Sequence, residues 1–209
     1  MVKAIEVRHQ VAVAGKVTDV VARKPLGGAV VNIIEMPQAL KSLLVTKSMQ
    51  YGARWAAMAE RPDRTQTAAD GLFYFLDLPD GKYTIAASVA RCGKRYGGAR
   101  GSATVSRDAK GNVKMAFLEI GLQPTTVQGK VTGAGHKAGV MMAEIRVKGS
   151  GELAFSDAQG EYVLAGVEPG KRTILVAAQG YRTAAKPVTI EQPGELAILN
   201  FALVREAGG

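Results

Sequence analysis

The sequence predicts an all-β protein made of two tandem β-sandwiches, the first of which carries a helical insertion. Three observations lead to this fold class. Short runs rich in β-branched and aromatic residues recur along the 209 residues, Gly, Asp and Pro separate these runs, and one set of motifs occurs twice. Hydrophobic residues make up 47% of the chain, which is enough to bury a core in each sandwich.

The strand signals follow one another at a spacing of roughly 8–12 residues, which is typical of a sandwich. In the first half of the chain they are VAVAGKVT, GAVVNII, LFYFLDL, YTIAASV and VKMAFLEI. The dipeptides Asp70-Gly71 and Asp80-Gly81 separate such runs, and both are turn dipeptides in which glycine supplies a positive φ. These runs therefore predict short strands joined by tight turns.

One unit occurs twice along the chain. Three pairs of segments match at decreasing offsets: VAGKVTD and VQGKVTG at 114 residues, DGLFYF and QGEYVL at 89, and GNVKMAF and GELAILN at 83. The decrease places an extra 25 residues between Gly15 and Gly71 of the first copy, and an extra 6 residues between Gly81 and Gly111. Each copy is expected to form one sandwich.

The repeat also predicts the domain organisation. The first sandwich covers 1–122, a linker covers 123–126, and the second sandwich covers 127–209. Within the first sandwich we distinguish an N-terminal arm over 1–12, a helical insertion over about 36–64 and a basic loop over 91–101.

The repeated motifs resemble those of the carboxypeptidase-like regulatory domain, a small prealbumin-like (transthyretin-like), Ig-like β-sandwich. The first copy supplies VAGKVTD, PLGGAVVNI, TAADGLFYF and LPDGKYTI, and the second supplies VQGKVTG, SDAQGEYVLAGVEPGKRTI and QGYR. The second copy departs from the family pattern at Gly133, where Asp is usual, and at Arg172, where Tyr is usual. The resemblance covers nearly the whole chain and implies two tandem non-enzymatic modules that pack, space or bind.

The positive charge is concentrated in the first copy. The net charge of the chain is +9, of which residues 1–122 contribute +8 and residues 123–209 contribute +1. A basic surface favours anionic partners, such as acidic protein surfaces, nucleic acid or acidic polysaccharide.

Residues suited to catalysis or metal binding are scarce. The chain has two histidines, one in each copy, and its single cysteine allows neither an internal disulfide nor a cysteine-built zinc site. The HExxH and P-loop patterns are absent. Asp70 and Asp80 are interpreted as turn residues rather than calcium ligands. We therefore expect no enzyme activity, no cofactor and no bound metal.

The basic loop RCGKRYGGARG gathers cations around the single cysteine. Its candidate partner-binding residues are Arg91, Lys94, Arg95, Tyr96 and Arg100. The loop aligns with the connection between two late strands of the second copy, so we expect an extension at a loop tip. Three interpretations stay open: a solvated hairpin end, a docking finger for an acidic partner, and a nucleic-acid contact in which Tyr96 stacks on a base.

The helical insertion breaks the β pattern. Pro37 can begin a helix and Pro62 can end one. The side chains spaced for one helical face are Leu40, Leu44, Tyr51, Trp55 and Met58. Gly52 interrupts this spacing, so the segment predicts either one helix or two short ones. Two interpretations stay open: the helix caps a sheet edge, or Trp55, with Tyr51 and Arg54 beside it, anchors a neighbouring subunit.

These observations favour a structural or adaptor protein that docks into a larger assembly by edge-strand pairing and through these two decorations. The expected partners are acidic protein surfaces or further copies of the chain, and the expected host is a phage-tail-like or contractile-injection particle. The opening residues MVKAIEVRHQVAVAG alternate apolar and polar types, and the chain has no apolar run of membrane-spanning length, so we expect a cytoplasmic protein. The alternative is a ligand-binding module for acidic polysaccharide or a cell-envelope surface, which exposed aromatic side chains on a sheet face, such as Tyr74, would favour.

Overall fold

The computed structural model describes residues 9–89, 93–136 and 138–206. The chain divides into two compact units, of which the first comprises Met1–Arg91 and Gly98–Leu122 and the second Cys92–Gly97 and Gln123–Gly209. Both units are built mainly of strands, which confirms the predicted all-β class, and the first unit contains the predicted helical insertion.

The first unit contains eight strands and two helices among its described residues. The strands are β1 (Val11–Asp19), β2 (Val30–Glu35), β3 (Arg64–Gln66), β4 (Leu72–Leu76), β5 (Gly81–Ser88), β6 (Ala99–Arg107), β7 (Val113–Lys114) and β8 (Ala116–Leu122). The helices are α1 (Gln38–Tyr51) and α2 (Arg54–Ala57), both within the insertion between β2 and β3.

The second unit contains eight strands and no helix among its described residues. The strands are β9 (Thr126–Gly133), β10 (Glu144–Val147), β11 (Leu153–Phe155), β12 (Glu161–Ala165), β13 (Gly170–Ala177), β14 (Ala184–Ile190), β15 (Leu196–Ile198) and β16 (Phe201–Leu203).

The two units have the same strand order. In the first, one sheet runs β4-β1-β8 and the other β3-β2-β5-β6-β7; in the second, the sheets run β12-β9-β15 and β11-β10-β13-β14, and β16 also pairs with β9. In both units the first and last strands are parallel neighbours, and the other strand pairs are antiparallel. The alternating burial along β4 and β12 places one side-chain set in the core and the other on the outer face of the sheet.

The glycine in the repeated V-x-G-K-V motif is required by the packing of the first strand. A β carbon on Gly15 would lie 2.4 Å from the carbonyl oxygen of Leu118 and 2.4 Å from the ring of Phe73. A β carbon on Gly129 would lie 2.1 Å from the carbonyl oxygen of Leu199. Both glycines thus let the first strand of a unit approach its parallel neighbour closely.

A buried hydroxyl occupies the same place in each unit. The Oγ of Ser156 accepts the N–H of Ala143 at 2.9 Å and donates to the carbonyl of Val140 at 2.6 Å. Thr67 makes the equivalent pair of hydrogen bonds in the first unit. The Thr or Ser four residues before the turn glycine, Gly71 or Gly160, therefore connects the loop that precedes the second strand of the unit to the segment that follows its third strand.

The residues predicted as a linker belong to the second unit. Thr126 already lies in β9, and Thr125 and Thr126 are fully buried. The carbonyl of Thr125 accepts the N–H groups of Gly166 and Val167, at 2.9 and 3.1 Å. These bonds hold 123–126 as the opening of a sandwich, so the linker prediction is corrected there. Of the predicted N-terminal arm, residues 1–8 lie outside the described residues.

Candidate partner-binding surfaces

Helix α1 directs apolar side chains into solvent. It begins after Pro37 and ends at Gly52, whose N–H donates to the carbonyl of Ser48 at 2.8 Å. Leu40 is the one buried side chain of α1. The large apolar side chains that α1 exposes are Leu43, Val45, Met49 and Tyr51. The helix therefore contacts the core of its unit mainly through its first turn.

The members of the predicted helical stripe differ in their burial. Of its five members only Leu40 is buried, whereas Leu44 and Met58 are partly covered. The break expected at Gly52 is present: the chain turns there, with φ at +55°, and restarts as the short helix α2. Apolar residues also occupy several sides of α1, so their spacing did not identify a single buried face.

Trp55 makes its contacts within the insertion. Its ring stacks on Tyr51, with centroids 6.1 Å apart and 24° between the ring planes. The guanidinium carbon of Arg61 lies 4.9 Å from the centroid of the Trp55 ring, and Arg61 donates two hydrogen bonds of 3.0 Å to the carboxylate of Asp63. Tyr51 and the neighbouring Arg54 are exposed and Trp55 is partly buried. The predicted anchor role of Trp55 stays a prediction.

The predicted basic loop is not one exposed tip. Arg91 lies outside the described residues. Lys94, Arg95 and Tyr96 belong to the second unit, whereas Arg100 is an exposed residue of β6 in the first unit. The structure thus divides the candidate residues between two places instead of bringing them together.

Backbone hydrogen bonds are the reason for this correction. The N–H of Thr125 donates to the carbonyl of Arg95 at 2.7 Å, and the N–H of Gly97 donates to the carbonyl of Gln123 at 2.9 Å. These bonds hold the described part of the loop along residues 123–125. The comparison of the two copies could not reveal this pairing, because the second copy has no counterpart of the six extra residues.

Arg95 neutralises a buried carboxylate of its own unit. Its guanidinium lies 2.8 Å from Oε1 of Glu152, whose side chain is 8% exposed, and 3.5 Å from Oε1 of Glu168. Burial by itself would raise the pKa of Glu152, but hydrogen bonds with Ser150 and its own backbone N–H, and the charge of Arg95, hold that pKa below its ordinary value. Arg95 is therefore engaged within the second unit, and Lys94 stays exposed beside it.

A groove of about 510 Å³ opens in the first unit between α1, the segment that follows α2, and strand β4. This volume lies within the range of ligand-binding clefts, about 300–1,000 Å³. Its apolar lining consists of Leu40, Leu43, Tyr74, Phe75, Leu76 and Leu78. Sequence reasoning missed this groove, because its walls come from segments that are not adjacent in the sequence.

The charged side chains of this groove differ in their pairing. Asp77 is paired with His9 and accepts the N–H of Gln10 at 2.8 Å. Burial would raise the pKa of Asp77, but these two partners lower it below its ordinary value. By contrast, none of the described residues forms an ion pair with Lys47 or Arg64, and the Nε of Arg64 is shielded from solvent without a hydrogen-bond partner there.

The outer face of the sheet β4-β1-β8 carries two aromatic side chains in one row. Tyr74 and Phe117 are both paired with Ala14 of the central strand, and their side chains are 61% and 57% exposed. In the second unit the corresponding row carries the exposed aliphatic side chains Val163 and Ile198. Both units thus present an apolar outer face, and only that of the first is aromatic.

The chain offers no cluster suited to metal chemistry among the described residues, since no three His, Cys, Asp or Glu side chains converge there. Asp70 accepts the N–H of Leu72 at 3.0 Å, and Asp80 is paired with Arg107. No helix within the described ranges is long and apolar enough to cross a membrane. What the arrangement provides is a set of binding surfaces: an exposed helix, a groove and two sheet faces.

These features define an all-β protein of two sandwich units whose first unit carries the candidate surfaces. Residues 126–204 match the family model of the carboxypeptidase regulatory-like domain. The match covers nearly all of the described second unit, and it agrees with the resemblance seen in the sequence of the second copy. No curated protein matches the chain.

Solved structures of pilins resemble the chain, but with low sequence identity and low TM-scores. The shaft pilin SpaA from Lactobacillus rhamnosus GG is 13% identical, with a TM-score of 0.43 and coverage of 96% of this chain and 99% of that one. A streptococcal ancillary pilin is 12% identical, with a TM-score of 0.38 and coverage of 97% and 64%. The minor pilin GBS52 from Streptococcus agalactiae is 12% identical, with a TM-score of 0.35 and coverage of 94% and 97%. Similarity at these scores supports no inference about function.

Proposed function

We propose that the protein is a non-enzymatic structural protein that joins a larger protein assembly through its first unit. The observation that carries the proposal is the inserted helix α1, which exposes large apolar side chains that its own unit does not use. Met49 is 79% exposed and Val45 is 53% exposed. An inserted helix that buries a single side chain in its own unit and exposes several large apolar side chains is typical of a protein-binding element.

The charge of the insertion indicates the chemistry of the partner. The segment 38–58 carries Lys41, Lys47 and Arg54 and no Asp or Glu. A partner surface that is apolar at its centre and acidic at its rim would complement it. Lys94 and Arg100 are further exposed cations of the chain, and their part in docking is a proposal as well.

The proposal includes the assignment of both units to the carboxypeptidase regulatory-like fold. Support for the first unit comes from its strand order, its buried hydroxyl and its motif glycine, which match those of the second unit. The host assembly stays unspecified. A phage-tail-like or contractile-injection particle, which the sequence suggested, finds no support in the proteins compared above.

Replacing the two most exposed apolar residues of α1 should release the protein from its assembly. We expect the native protein to sediment rapidly in lysate of the cells that produce it. The double variant Val45→Gln/Met49→Gln should sediment slowly, near the 22.0 kDa mass of the chain. Its thermal unfolding should change little, because neither side chain is buried.

The matched control is Ala39→Gln, which adds the same side chain at an exposed position of α1 without removing a large apolar group. It should sediment like the native protein. Slow sedimentation of the native protein would refute membership in a large assembly, and rapid sedimentation of the double variant would refute the role of α1.

The aromatic row on the outer sheet face favours a second candidate function, the binding of an acidic polysaccharide. Neighbouring strands lie about 4.8 Å apart, so Tyr74 and Phe117 are about 10 Å apart across Ala14. Two flat rings at this distance can each cover the apolar face of a sugar ring, and the next row carries Lys16 with Glu119 beside it.

Affinity electrophoresis in gels that contain alginate or polygalacturonate tests this candidate. The native protein should be retarded, Phe117→Ser should abolish most of the retardation, and Ile198→Ser on the aliphatic face of the second unit should leave it unchanged. Absence of retardation for the native protein in both gels would rule the candidate out for these polymers.

A further inference from the structure

Strand β4 is an edge strand with unused backbone groups beside the groove. Among the described strands it pairs only with β1. The N–H of Val17 donates to the carbonyl of Gly71 at 2.9 Å, and the register runs unbroken to Phe75, so Phe73 and Phe75 direct their backbone groups to β1. Beyond a register shift at Leu76, the N–H of Asp77 again donates to β1's side, to the carbonyl of Gln10 at 2.9 Å. Because these directions alternate along a strand, the N–H and C=O groups of Tyr74 and Leu76 point to the free edge.

The groove opens beside this free edge, because Tyr74, Phe75 and Leu76 of β4 all line it. An extended segment added to β4 would direct alternate side chains to the two faces of the sheet. Those on the inner side would enter the groove and meet its apolar wall, which α1 supplies through Leu43 and the segment after β4 supplies through Leu78. Small or branched apolar side chains at every second position would fit this wall.

The cations that line the groove favour an acidic residue in such a segment. Arg64 lines the groove from β3, and its Nε is a donor that neither solvent nor any described residue satisfies. A carboxylate is the acceptor that best matches a guanidinium. Lys47 adds a second cation to the lining. Two carboxylates also line the groove: that of Asp77 is bound by His9, which leaves Glu60 to oppose Arg64 and Lys47.

We propose that this groove binds an extended, acidic segment of a partner protein, which adds to β4 as a further strand. Its backbone pairs with the free edge, an apolar side chain packs on Leu43, and a carboxylate two residues away binds Arg64. The inference rests on the proposed assembly function and specifies where one partner segment docks and which pattern it carries: apolar, any residue, acidic.

A peptide titration of the full-length protein tests the site. The probe is a capped seven-residue peptide in which valine, glutamate and valine alternate with threonine, so that both valines and the glutamate share one face. In ¹⁵N-resolved NMR spectra, the peptide should shift the backbone amide signals of Tyr74 and Leu76. A peptide with glutamine in place of glutamate should bind about tenfold more weakly or worse, because the charged hydrogen bond is lost.

Two variants and one matched control locate the contact. Arg64→Gln and Leu43→Glu should each weaken peptide binding by about tenfold or more, the first by removing the cation and the second by placing a carboxylate in the groove. Gln50→Glu introduces the same charge at an exposed position of α1 that does not line the groove. It should change the affinity by less than about twofold.

Each other outcome contradicts the proposal. Unshifted amides of β4 at saturating peptide, or equal affinity for the glutamine peptide, would refute the acidic segment. Concentration-dependent shifts of the same amides without peptide would show that a second copy, not a separate partner, occupies the edge. Rapid sedimentation of the native protein combined with absent peptide binding would refute this site and leave the assembly function standing, whereas slow sedimentation would refute that function itself.

Discussion

Replacing Gly160 with alanine should unfold the second unit under conditions in which the native protein is folded. Gly160 has a φ of +77°, and a β carbon there would lie 2.3 Å from the carbonyl oxygen of Val131 and 2.8 Å from the Cα of Gly139. The left-handed conformation costs an alanine about 1–3 kcal/mol, and overpacking against rigid backbone adds about 1–3 kcal/mol, so we expect a loss of about 4 kcal/mol. Guanidinium unfolding followed by far-UV circular dichroism measures this loss.

Gly151→Ala is the matched control in the same unit. Gly151 has no positive φ, and its β carbon would meet no atom within 4 Å, so its replacement should change stability by less than about 1 kcal/mol. The single tryptophan lies in the first unit, and its fluorescence follows that unit in the same samples. Equal stability of the two alanine variants would contradict the expected role of Gly160.

Removing the hydroxyl of Ser156 should be nearly as costly. Ser156→Ala leaves the buried N–H of Ala143 without its acceptor and the carbonyl of Val140 without its donor. The desolvation of unsatisfied groups costs about 1–3 kcal/mol each, so we expect a loss of about 3 kcal/mol in the free energy of unfolding. The same denaturant titration measures it.

Ser156→Thr should retain most of the stability, because the first unit itself uses threonine at this position. There the Oγ1 of Thr67 accepts the N–H of Ala29 at 2.9 Å and donates to the carbonyl of Leu26. If the threonine variant were as unstable as the alanine variant, the loss would arise from packing rather than from the hydrogen bonds.

Much of the fold could be predicted, because residues that occur at the same place in both copies indicate what the fold requires. The glycine of the V-x-G-K-V motif and the turn glycine, Gly71 or Gly160, occur in both copies, and a side chain at either place would collide with backbone atoms. The parallel pairing of β1 with β8 could not be predicted in this way, since its partners are about a hundred residues apart and nothing local in the sequence specifies their direction.

The candidate site was less predictable, because its properties depend on distant partners. Arg95 looked like a free cation of a loop, but the carboxylate of Glu152, 57 positions later, binds it. Arg64 attracted no attention in the sequence, yet it is the cation of the groove whose Nε is unsatisfied. Sequence patterns show the periodicity of neighbouring residues. They do not show which residues are buried, or which ones form ion pairs with residues far away in the sequence.

The placement of Cys92–Gly97 in the second unit has a consequence for how this chain can be divided. A fragment that begins at Gln123 would contain every strand of the second unit and the whole matched region. It would nevertheless lack Arg95, and the carboxylate of Glu152 would stay buried without its counter-ion. Although the motifs repeat in series, the second unit includes the segment Cys92–Gly97, which lies within the sequence of the first copy. A fragment meant to keep the pairing of Arg95 with Glu152 would therefore have to include residues from both copies of the motif.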